Sequence, residues 1–136
     1  MIQLNPYLRF NGKAKEAFAF YKDCLGGEVT LTTIGETPMA EYMPDKKDNI
    51  FHAQLESGNV VLLGSDLVGS EGIIKGNTMV LTLTCSSKEE GETLFGKLSE
   101  GGKVGHKLEE QAFGTIGDFT DKFGVDWFLV IKVPKI

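Results

Sequence analysis

The chain has 136 residues, with 14 Lys and Arg against 19 Asp and Glu and a net charge of −5. That length suits one compact domain, or two small halves sharing a core, and lets about two-thirds of the unfolded surface be buried without disulfides or a structural metal. The acidic balance, the single arginine at Arg9 and the scattered lysines argue against a nucleic-acid partner, and no run approaches the ~18 apolar residues of a membrane span, so no membrane partner is expected either.

The opening "MIQLNPYLRF" has neither a basic start nor a long apolar run, so a secretory signal is not expected there. It alternates instead. Ile2, Leu4, Leu8 and Phe10 fall on one parity and Gln3, Asn5, Tyr7 and Arg9 on the other, which predicts a strand over 2–10 with one apolar face. After "NG" at 11–12, Ala14, Ala17, Phe18, Tyr21 and Leu25 recur at helical spacing, and "GG" at 26–27 stops that helix. "EVTLTTI" (28–34) is rich in strand formers. Residues 35–49 hold Pro38, Pro44 and several charges and predict an irregular loop. "IFHAQLE" (50–56) and "NVVLLG" (59–64) flank "SG" and predict a hairpin. The order is β, α, β, β, β.

Residues 66–77 hold Gly69, Gly72 and Gly76 and read as a linker. "TMVLTLTC" (78–85) predicts a strand. "SSKEEGETLFGKLSE" opens with serine and has Glu three to four residues on, the sign of a helix N-cap, and "GG" at 101–102 closes the helix. "KVGHKLEE", "FGTIGDFT" and "DWFLVIKV" supply three further strands, and the order is again β, α, β, β, β. With 75 added to the first half, Leu8, Lys13, Phe20, Lys22, Gly26, Gly27 and Val29 meet identical residues, seven in the 23 positions from Tyr7 to Val29. Later the offset is taken as 66, with Gly58 against Gly124. The expected fold is therefore α+β: module one at 1–65, a linker at 66–77 and module two at 78–136. Two tandem βαβββ modules would form a curved mixed-sheet cup with helices on its outer face and a ligand pocket inside.

At this point the chain resembles a known family. "NPYLRFNGKAKEAFAFYKDCLGGEV", "HAQLESGNVVLLGSD" (52–66) and "FGTIGDFTDKFGVDWFLV" (113–130) are similar to the vicinal oxygen chelate superfamily, the glyoxalase/bleomycin resistance/dioxygenase proteins, and within it to the PhnB-like branch. The resemblance spans essentially the whole chain, with a departure at Ala112-Phe113-Gly114, where the branch usually has an aromatic pair before glycine. It implies homodimers, and chemistries ranging from isomerisation and ring cleavage to drug sequestration, so the fold alone selects no reaction.

The metalloenzymes of that superfamily hold a divalent ion with His or Glu from the first and fourth strand of each module. Carried over, those positions fall on Asn5 or Pro6, on Leu62, on Val80 and on Phe128; a slip of one residue brings in Val61, Leu63, Met79, Leu81, Trp127 or Leu129, none of which binds an ion either. A catalytic metal needs several N or O donors at about 2.0–2.2 Å, so no metal and no other cofactor is expected. His52 shares a parity with Gln54 and Glu56; it is either a group facing the pocket, as contact or base, or a hydrogen-bonded sheet histidine. His106 follows a turn glycine and is expected at the surface. Cys24 and Cys85 are isolated and read as reduced thiols of a cytoplasmic protein. Cys24 also lies near a helix C-terminus, where the dipole disfavours a thiolate. The expected pocket lining is Asn5, Tyr7 and Arg9, His52 and Gln54, and Phe128, with Phe113 closing the rim. Trp127, on the opposite parity, is expected in the core. No glycine-rich methyl-donor loop is present. Three functions stay open: a metal-free binder of a small molecule, a superfamily enzyme of lyase, isomerase or dioxygenase type acting through an atypical metal site or His52, and a structural dimer partner with a filled cup.

Overall fold

The computed structural model describes residues 1–132 and divides into two compact units, 1–75 and 76–136. Unit one runs β1 (Tyr7–Arg9), α1 (Ala14–Leu25), β2 (Glu28–Thr33), three short 3-10 turns at Ile34–Glu36, Pro38–Glu41 and Pro44–Lys46, β3 (Ile50–Ser57) and β4 (Val60–Ser65). Unit two runs β5 (Leu81–Cys85), α2 (Lys88–Ser99), β6 (Lys103–Gln111), β7 (Gly114–Thr120) and β8 (Asp126–Lys132). The sheet orders are β1-β4-β3-β2 and β5-β8-β7-β6, with β1∥β4 and β5∥β8 parallel and all other pairs antiparallel. The two halves therefore share one topology, the α+β βαβββ plan, as two separate mixed sheets.

Both first strands are shorter than the alternation predicts. Residues 1–6 and 78–80 lie outside the sheets; Ile2 (96%) and Leu4 (94%) are exposed instead of sharing the core with Phe10, and Met79 (80%) and Val80 (48%) are exposed as well. Alternation marks residues that could line one face; it does not supply a neighbouring strand to bond them. The irregular segment at 35–49 is anchored rather than loose. Glu36 accepts bonds from the Thr33 backbone N–H and hydroxyl, and these hold its carboxyl below the ordinary glutamate range.

Each helix buries one stripe against its sheet. Ala14, Ala17, Phe18 and Tyr21 of α1 are fully buried, and the Phe18 ring meets Phe10 and Tyr21 edge-to-face at 6.2 and 6.0 Å. In α2 the stripe is Gly91, Phe95 and Leu98, and Phe95 meets Phe119 at 5.0 Å. The predicted cap on α2 is present: the Ser87 hydroxyl accepts from Glu90 N–H. The N-terminus of α1 uses a distant group instead. Buried Asp66, just past β4, accepts from the N–H of Ala14 at 2.9 Å and of Ile50 at 2.8 Å, tying helix, β3 and β4 together.

The repeated glycine pairs have two physical causes. Gly26 and Gly101 take φ of +75° and +79°, which ends each helix in a left-handed step. The second glycine of each pair is needed for space. A Cβ on Gly27 would stand 2.1 Å from the Glu56 carbonyl oxygen, and one on Gly102 would stand 2.1 Å from that of Thr120. Each helix exit thus lies directly against the end of its unit's third strand. Gly27→Ala is expected to destabilise the protein by about 2 kcal/mol through backbone overpacking and positive φ. Gly96→Ala, in the same protein but with open space around its Cβ, is expected to stabilise α2 by up to about 1 kcal/mol. Urea denaturation of the two variants checks the contrast.

Candidate functional site

In each unit the helix covers one face of the sheet and leaves the other open. The register sorts the residues. In unit one, Leu62 (3% exposed) and Gly64 face α1, with the Phe18 ring within 3 Å of where a Gly64 Cβ would be. Tyr7 pairs with Leu63, Leu63 with Gln54, and Gln54 with Thr30, so these four form one row across the open face. In unit two, Thr82 pairs with Phe128, Phe128 with Asp118, and Asp118 with His106.

These rows correct the offset of 66. Val29 pairs with Leu55 and Leu55 with Leu62; Val104 pairs with Phe119 and Phe119 with Trp127. Leu62 is therefore the counterpart of Trp127, and Leu63 that of Phe128, an offset of 65. The tip of the β7–β8 hairpin is one residue longer, so aligning Gly58 with Gly124 slips the strands by one. The fourth-strand position in unit one is Leu63, not Leu62, which is core. As predicted, Trp127 is buried (1%) on the helix side.

That hairpin tip, the "DKFGVDW" run, is organised by a carboxylate that sequence reasoning did not single out. Buried Asp121 accepts from the N–H of Phe123 at 2.8 Å and of Val125 at 3.1 Å through Oδ1, and from Trp127 Nε1 at 2.8 Å through Oδ2. The loop's donors and the indole of a core residue are satisfied by one group, which fixes the start of β8 and hence Phe128. An aspartate one residue past a strand and ahead of "FG" is the signal that could have found it.

The expected site residues fall in both units. Tyr7 and Arg9 are exposed, and His52 and Gln54 half-buried, on the open face of unit one; Asn5 precedes β1 and is half-buried. The Gln54 amide donates to Glu56. Among the described residues no side-chain hydrogen bond is found for His52, which leaves the sheet-fixing role without a partner. Phe128 lies in unit two, in the wall of a cavity of about 630 Å³ on that unit's open face. Phe113, 65% exposed at the β6–β7 turn, is not part of that wall. The cavity is also lined by Val80, which the resemblance assigns to a metal-ligand position, and by Thr82, Lys103, Asp118, Thr120 and Asp126, which the sequence does not single out. Thr120 donates to Asp126 Oδ1 at 2.6 Å. His106 is exposed as expected, but its Nδ1 lies 2.7 Å from Asp118 Oδ2.

The first- and fourth-strand positions on the open faces carry Tyr7, Leu63, Thr82 and Phe128. Two of these are apolar and none is His, Asp, Glu or Cys, so the donor set does not suit a catalytic divalent ion. Among the described residues no three His, Cys, Asp or Glu gather to hold a metal. Among the described residues neither Cys24 nor Cys85 is in a disulfide. Burial, and then the Glu90 carboxylate, push the Cys85 thiol above its ordinary value. Iodoacetamide at neutral pH is therefore expected to alkylate half-buried Cys24 well before Cys85, read by peptide mass mapping of partly labelled native protein.

Comparison with known proteins gives the class. Residues 3–130 match the model of the family described as 3-demethylubiquinone-9 3-methyltransferase. The chain is 31% identical over 142 residues to protein YjdN of Escherichia coli (strain K12), covering 95% of each. Protein PA1353 from Pseudomonas aeruginosa is 37% identical with a TM-score of 0.84, over 97% of this chain and 98% of that one. A PhnB protein from Bacillus cereus is 26% identical with a TM-score of 0.77, over 96% and 99%. The chain belongs to this PhnB-like family, whose fold is that of the glyoxalase/bleomycin resistance/dioxygenase proteins.

Proposed function

We propose that the protein is a metal-free binder of a small, partly apolar molecule. The observation that carries this reading is the cavity on unit two: Val80 and Phe128 give it apolar wall, while Thr82, Thr120, Asp118, Asp126 and Lys103 give it hydrogen-bonding groups. A largely apolar concavity with a few polar groups is the usual form of a small-molecule site. The metal-free part rests on the residue types: neither the positions the resemblance assigns (Asn5 or Pro6, Leu62, Val80 and Phe128) nor the first- and fourth-strand residues of the open faces (Tyr7, Leu63, Thr82 and Phe128) include a His, Asp, Glu or Cys. Methyl transfer, which the family description names, is not part of the proposal. The strand-to-helix turns read "NGK" and "SS", with no glycine-rich loop to hold a methyl donor.

A second reading, a superfamily enzyme working through His52, is favoured by one observation: His52 shares the open face of unit one with Tyr7, Arg9 and Gln54. We further propose a homodimer, supported by the exposed apolar residues Ile2, Leu4, Met79 and Val80 beside the edge strands β1 and β5. Two cysteines outside any disulfide among the described residues suit the further reading of a cytoplasmic setting. No helix among the described residues is long and apolar enough to cross a membrane.

Elemental mass spectrometry of dialysed, untagged protein is expected to find less than about a tenth of an equivalent of any transition metal, with none rebinding on addition. Near-stoichiometric retained metal overturns the metal-free reading. A thermal-shift screen of small aromatic and amphiphilic compounds is expected to return ligands that raise the melting temperature without being consumed. Turnover of a stabilising compound, abolished in a folded His52→Ala variant, would establish the enzyme instead.

A further inference from the structure

The two open faces differ in one respect that the shared topology does not require. The row in unit one is Tyr7, Leu63, Gln54 and Thr30, all uncharged; the row in unit two is Thr82, Phe128, Asp118 and His106. The change comes with a break in β6, whose register to β7 shifts on both sides of His106. Such irregularities re-aim side chains. Here the break accompanies the approach of His106 Nδ1 to within 2.7 Å of Asp118 Oδ2. Gly105 leaves room for the same carboxylate, since a Cβ there would stand 2.2 Å from Asp118 Oδ1. Asp118 is thus held against β6 by His106, in space that Gly105 leaves open, while it lines the cavity beside Phe128. An ionised carboxylate has about four acceptor positions, and His106 uses one of them.

We propose that Asp118, positioned by His106, anchors the ligand of the unit-two cavity, and that this ligand is a small aromatic molecule carrying a protonated amine. The proposal rests on the reading of the chain as a small-molecule binder and names the class of molecule. The ammonium donates to Asp118 in a charge-assisted bond, and the ring lies over the apolar wall at Phe128 and Val80. Asp126 and Lys103 share the lining, so among the described residues the cavity wall carries two carboxylates and one side-chain ammonium, a balance that disfavours an anionic ligand. His106 does not line the cavity. Its part is to donate Nδ1–H to Asp118, which fixes the carboxylate's orientation and the ring's tautomer.

The test is an amide NMR titration of the full chain with three matched probes: benzylammonium, benzyl alcohol and benzoate. Benzylammonium is expected to shift the amides of Thr82, Asp118 and Phe128, and benzoate to shift none of them. Asp118→Asn should weaken benzylammonium about tenfold, the loss of one charge-assisted bond, while leaving benzyl alcohol nearly unchanged. His106→Ala should weaken benzylammonium in the same direction, and His106→Asn, which still donates to the carboxylate, should restore it; a purely structural histidine would not show this rescue. If benzyl alcohol or benzoate binds the cavity as well as benzylammonium, or Asp118→Asn leaves its affinity unchanged, the anchoring role is overturned while the binder reading stands. If His106→Ala binds like the unaltered protein, the positioning role is overturned. If none of the three probes shifts the cavity amides up to its solubility, both the anchor and the binder reading for this cavity fall.

Discussion

Each unit is built around one close approach: the exit of the helix pressed against the end of the third strand. The second glycine of each pair lets a carbonyl oxygen, of Glu56 in one unit and Thr120 in the other, come where a methyl group would stand. This contact sets the distance between helix and sheet at one end. It also delivers the chain into β2 or β6 in register with β3 or β7. The aromatic contacts of Phe18 and Phe95 then fill the layer that this spacing creates. With the helix committed to one face, the other face of each sheet is left for other work.

Two buried carboxylates hold what the glycines position. Asp66 ties the start of α1 to β3, and Asp121 ties the β7–β8 tip to the indole of Trp127. A buried charge is costly unless its hydrogen bonds are met, and both groups meet theirs chiefly with backbone N–H donors that would otherwise be orphaned. They do not occupy equivalent places in the repeat. α1 is capped from beyond β4, whereas α2 is capped locally by Ser87. The duplicated plan has therefore been stabilised differently in its two halves, and the open faces have diverged as well, one row uncharged and the other carrying Asp118 and His106.

Much of the fold was legible because it rests on local signals. The helices were announced by Ala14, Ala17, Phe18 and Tyr21 and by the glycines that follow, and the element order of both halves followed from strand composition between turn residues. The first strands were overread: Ile2, Leu4 and Met79 continue an alternation but have no sheet neighbour among the described residues of their own unit. The site was legible only in part. Trp127 was legible as core because it alternates with Phe128, which lies on the open face. Leu62 was assigned to the open face although it is core, because one extra residue at a hairpin tip reverses the face of every residue that follows it when the strands are aligned by glycines.

The sequence by itself determined the duplicated βαβββ plan, the family, and the lack of customary metal-binding residues at the positions the resemblance assigns. These depend on residue identity and short-range periodicity, which a single chain displays in full. Only the tertiary structure decided that His106 has a carboxylate partner, that Asp118 stands in a cavity wall, and that Asp66 and Asp121 are structural. Each of those facts is a meeting of residues on different elements. Asp118 reaches His106 across a strand pair whose register is broken at that point, and no spacing along the chain encodes such a break.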